Sequence, residues 1–176
     1  MLGLMVGDVA PAAGQDTALW AADREAGAVI ALDRRGQEVA RVSGLLRPTH
    51  VCPTKMVLTD RRQVGAVWVV VDEPGLGKGA ALIVRSGRHQ LDIAAWIGSF
   101  REISDLAVAR DGVLLWLVDP ASEEVSVGFP PDLQHVSFPV PGALSLAPAE
   151  GSDMWVGTAS GEIWRVPDRS GPVRAG

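Results

Sequence analysis

ALWAADREAGAVIALDRRGQEVARV, residues 18–42, is the stretch that decides the fold. A strand-like run ends at Asp23 and a small polar turn follows. A second run, Val29 to Asp33, then leads through Arg34, Arg35 and Gly36 into a third, Glu38 to Val42. Short runs of β-branched and aromatic residues, divided by Gly and charged turn residues, are what an antiparallel meander requires. The runs pack on a pleated surface, and the Gly and Asp positions take the backbone through tight reversals.

The arrangement returns three more times, marked by Trp20 (ALWAAD), Trp68 (AVWVVVD), Trp116 (LLWLVD) and Trp155 (DMWVGT), at intervals of 48, 48 and 39 residues. Spacing of this size fits one propeller blade per repeat. Upstream of each Trp lies another apolar segment, at residues 9–11, 57–59, 106–109 and 146–148, so each unit begins with an inner strand, a turn and a Trp-bearing second strand. A Trp recurring once per repeat is expected to pack between neighbouring sheets.

With those residues in view, positions 19–36 resemble repeats of the NHL or YVTN type of β-propeller. Blades of that type end their second strand in apolar-x-Asp and their third in apolar-x-x-Asp-x-x-Gly. Trp20 to Asp23 and Ile30 to Gly36 match this pattern; Trp116 to Asp119 keeps the first half, and Gly161 to Val166 keeps part of the second. The resemblance implies an all-β propeller of about four blades, each a four-stranded antiparallel meander, and fixes no function.

The 176 residues are expected to form one propeller domain with blades at about 8–42, 55–97, 103–139 and 143–166. Alternation of Leu91, Ile93, Ala95 and Ile97 favours a strand over a helix at 92–100. The fourth blade lacks an obvious last strand, because residues 173–176 are short and polar. Apolar residues 2–6 are expected to pair beside Ile163 to Val166 and close the ring, since an exposed strand edge is a liability. A longer propeller, of which this chain is a piece, is the other reading.

Composition narrows the function. A net charge of −5 and basic residues scattered at turns leave no stripe to meet phosphates, so nucleic acid is not expected as partner. No stretch approaches the length of a membrane span, so no membrane insertion is expected. Cys52 stands alone and the N-terminus lacks a basic leading region, with Gly7-Asp8 interrupting its apolar run; both lean towards the cytoplasm.

Chemistry is sparse. Gly77-Lys78 resembles a phosphate loop, but that motif needs Gly where Asp72 stands and Ser or Thr where Gly79 stands. His50 and Cys52 are close, yet no second Cys exists and His89 and His135 belong to other repeats. Lactonases similar to this fold hold calcium with Glu, Asp and Asn, and this chain has no Asn. Asp8, Asp60, Asp105 and Asp153 lie near inner strands, where turn aspartates accepting backbone N–H bonds are the simpler reading.

No catalytic, metal or cofactor site is therefore expected. The expectation is a non-enzymatic interaction or structural subunit with a protein partner or a second copy, contacted through Trp96, Leu45, Leu46 and Leu76 on the rim loops at 43–53 and 73–79 and the outer strand. The alternative is a small-ligand-binding or metal-dependent, lactonase-like hydrolase with its site at the channel mouth.

Overall fold

The computed structural model describes residues 6–11, 17, 19–57, 63–75, 77–87, 89–109, 112, 114–129, 134–167 and 172–174. The described residues form sixteen strands in four four-stranded sheets. The first sheet holds β1 (Val6–Pro11), β2 (Leu19–Asp23), β3 (Ala28–Leu32) and β4 (Glu38–Ser43). In the second are β5 (Val51–Val57), β6 (Gln63–Glu73), β7 (Gly77–Arg85) and β8 (Leu91–Phe100). The third comprises β9 (Asp105–Val108), β10 (Leu115–Asp119), β11 (Glu124–Phe129) and β12 (Gln134–Pro139). The fourth is built from β13 (Ala143–Pro148), β14 (Met154–Thr158), β15 (Ile163–Val166) and β16 (Val173–Arg174). Strand order follows the chain in every sheet, the blade arrangement expected from the repeat. The chain divides into two compact units, one with the first sheet and most of the second, the other with the third and fourth.

The aspartates of the repeat motif are structural. At the end of β2, Asp23 Oδ1 accepts the Ala26 N–H at 2.9 Å. After β3, Asp33 Oδ1 accepts N–H groups of Arg35 at 2.8 Å and Gln37 at 2.9 Å. Asp119, buried at the end of β10, accepts the Ala121 and Ser122 N–H groups and also those of Arg101 and Glu102 from the connection before β9. A carboxylate bonding the backbone two or three residues on replaces a ladder bond where the chain reverses, which is why the motif places Asp there. In the fourth sheet Thr158 takes the role, its Oγ1 accepting the Glu162 N–H at 3.1 Å.

Prolines sit where a missing N–H costs no ladder bond. Pro11, Pro53, Pro139 and Pro148 all lie on the first or last strand of their sheets. This corrects the start of the second repeat: the inner strand begins at Val51, not near Lys55, with Val51 opposite Val69 and Cys52 opposite Trp68. Pro53, read as a loop residue, is tolerated because β5 is an edge strand. The expected loops shorten accordingly, the first to 44–50 and the second to the stretch between β6 and β7, with a turn at Pro74 and Gly75.

The end of the fourth sheet is also corrected. Val173 and Arg174 pair with Arg165 and Trp164, so the strand beside β15 comes from the C-terminal segment rather than from residues 2–6. Two residues suffice because Arg174 reaches Glu162 at 2.6 Å, and a short edge strand is itself a way of blunting an edge. Val6 instead belongs to β1, opposite Asp23; residues 2–5 lie outside the described residues.

Each unit has its own core. In the first, Trp20, Ala22, Val29 and Ala31 on one face of the first sheet meet Val67, Val69, Val71 and Ile83 of the second. In the second, Trp116, Val118, Val125 and Val127 of the third sheet meet Ala143, Met154, Val156 and Val166 of the fourth. Among the described residues no helix is long and apolar enough to cross a membrane.

Candidate interaction surface

Strand pairing places the four repeat tryptophans in one structural position, on the second strand of each sheet. Their environments differ. Trp20, Trp68 and Trp116 are 1%, 2% and 0% exposed. Trp116 lies 6.5 Å from the Phe138 ring, nearly parallel to it, and donates its Nε1–H to the Ser152 carbonyl in the β13–β14 turn at 3.1 Å. Trp155, in the same register, is 36% exposed, which departs from the expectation that all four are packed between sheets.

The pairing of the fourth sheet explains the difference. Ala147, Trp155, Arg165 and Val173 form one cross-strand row, and Ser145, Gly157 and Ile163 form the next row on the same face. The opposite face carries Met154, Val156 and Val166, all fully buried against the third sheet. Core packing thus uses one side of this sheet and leaves apolar side chains standing on the other: Ile163 is 56% exposed and Val173 60%.

Trp155 forms a ridge between two grooves. One is lined by Ala147, Ser160, Gly161 and Ile163, the other by Asp153, Arg165, Pro167 and Val173. At Gly157 the space a Cβ would take is already filled by the Ser145 hydroxyl, whose Oγ would stand 2.7 Å from it. Arg165, which stands between Trp155 and Val173 in their row, bonds Asp153 at 2.6 Å, and Arg174 bonds Glu162 at 2.6 Å. Trp164 Nε1–H adds a bond to Glu162 at 3.2 Å. The sheet therefore carries two positive and two negative side chains, already paired.

The contact residues expected from sequence do not converge on this face. Trp96 lies on β8, 36% exposed, and donates its Nε1–H to the Glu73 carboxylate; Ile93 on the same strand is 48% exposed. Leu46 is 45% exposed, near the 3.9 Å pair of Arg47 and Asp72. Leu45 is 6% exposed and belongs to the first core, its N–H donating to the Gly27 carbonyl, so it offers no contact surface. Leu76 lies outside the described residues. Trp155, Ile163 and Val173 are not among the expected contact residues; the signal available is Trp155 itself, at the end of the shortest interval, 39 residues after Trp116.

Of the carboxylates considered for a metal, Asp105 and Asp153 are engaged elsewhere. Asp105 accepts N–H groups of Leu106 and Leu146, both at 2.8 Å, which ties β9 to β13, and Asp153 pairs with Arg165. Asp60 lies outside the described residues. Among the described residues no three His, Cys, Asp or Glu side chains gather in a metal-binding group. His50 Nδ1 lies 3.4 Å from Thr49 Oγ1, and the Cys52 thiol faces its neighbour's carbonyl.

No protein-family model and no curated protein matches the chain. Solved structures do. Over 97% of its length the chain is similar to Sqt1 from Saccharomyces cerevisiae, with 13% identity and a TM-score of 0.74, and covers 48% of that chain. A protein of unknown function from Bacteroides caccae is similar over 99% of this chain and 62% of its own, with 14% identity and a TM-score of 0.57. Another, from Bacteroides thetaiotaomicron, is similar over 98% of this chain and 46% of its own, with 14% identity and a TM-score of 0.58. The chain spans about half the length of Sqt1 and less than two thirds of the other two. At such identities the likeness carries the fold alone, that of a β-propeller with four four-stranded blades.

Proposed function

We propose that the chain is a non-enzymatic protein-interaction or structural subunit, with repeats of the NHL or YVTN type, that works within a larger assembly and binds protein rather than nucleic acid. The observation that carries this reading is the Trp155 face. A sheet face with a large aromatic in the position that the other repeats bury is an apolar surface of the kind that marks protein contacts. The net charge of −5 and the pairing of Arg165 and Arg174 with carboxylates favour a protein partner over a polyanion. Engagement of Asp23, Asp33, Asp105 and Asp119 in backbone bonds supports a structural role for the aspartates over a catalytic one.

The test is affinity capture from an extract of the source cells, followed by reconstitution with each purified candidate. A binary complex that forms with the wild-type chain and is lost in Trp155→Glu supports the reading. A rise in Tm on adding calcium, abolished by Asp105→Ala, contradicts it and favours the metal-dependent hydrolase instead.

A further inference from the structure

We draw no further inference here: the strongest candidate, the open face of the fourth sheet around Trp155, Ile163 and Val173, is crossed by Arg165 already paired with Asp153, and nothing in the structure shows what covers it.

Discussion

Trp116 and Trp155 occupy the same position in consecutive repeats, so replacing each by Ala measures what a covering sheet is worth. Trp116 is fully buried, stacks on Phe138 and bonds the Ser152 carbonyl. Truncating a buried Trp removes its transfer free energy and leaves a cavity, together about 3–5 kcal/mol, and the lost hydrogen bond adds about 1 kcal/mol. Trp116→Ala should therefore cost about 5 kcal/mol, a large share of the ~5–15 kcal/mol that holds a domain together. Trp155→Ala empties no enclosed space, because the side chain already stands 36% exposed on an open face. Its cost should be about 1–2 kcal/mol, from contacts along the sheet surface alone. Urea unfolding followed by far-ultraviolet circular dichroism, at low protein concentration and with matching m-values, separates the two. Costs within about 1 kcal/mol of each other would refute the distinction between a covered and an open face.

Other substitutions probe the parts that build the sheets. Asp119→Ala strips the acceptor from four backbone N–H groups and should lower stability by about 3 kcal/mol, read as a fall in urea midpoint; an unchanged midpoint argues against the cap. Gly77→Ala drives a Cβ onto the Phe100 carbonyl at a φ of 106° and should cost at least about 2 kcal/mol. Gly36→Ala, at a φ of 74° with open space around it, should cost only about 1 kcal/mol, so equal losses would contradict the close approach at Gly77. The Asp92 carboxyl is held below its ordinary 3.8 by hydrogen bonds from Ser86 and Gln90. Folding thus favours its ionised form, and the contribution is present above 3.8 and lost as pH falls through the lower folded-state value. A side-chain NMR titration with its midpoint at or above 3.8 would contradict this.

The repeat and its strands were legible because the chemistry is local. Asp23 and Asp33 cap the turns they sit beside, and alternation at 91–97 reports a strand whatever lies nearby. Three other features depend on neighbours that sequence spacing does not name. Pro53 reads as a breaker until β5 is known to be an edge strand. Val173 and Arg174 read as too short for a strand until Arg174 is seen to anchor on Glu162. Leu45 and Leu46 are adjacent and identical, yet one points into a core and the other into solvent. Trp155 is the sharpest case: its repeat position is visible in the sequence, but whether a sheet lies over it is a property of tertiary packing.

Hydroxyl-radical footprinting of the six tryptophans by mass spectrometry, at a concentration too low for self-association, tests most directly the claim that the repeats bury their tryptophans and the fourth leaves its own open. Rapid oxidation of Trp155 and Trp96, with Trp20, Trp68 and Trp116 protected, is the predicted result. Trp155 protected as well as Trp116 in the dilute chain would contradict it, and the interaction surface would have to be sought elsewhere.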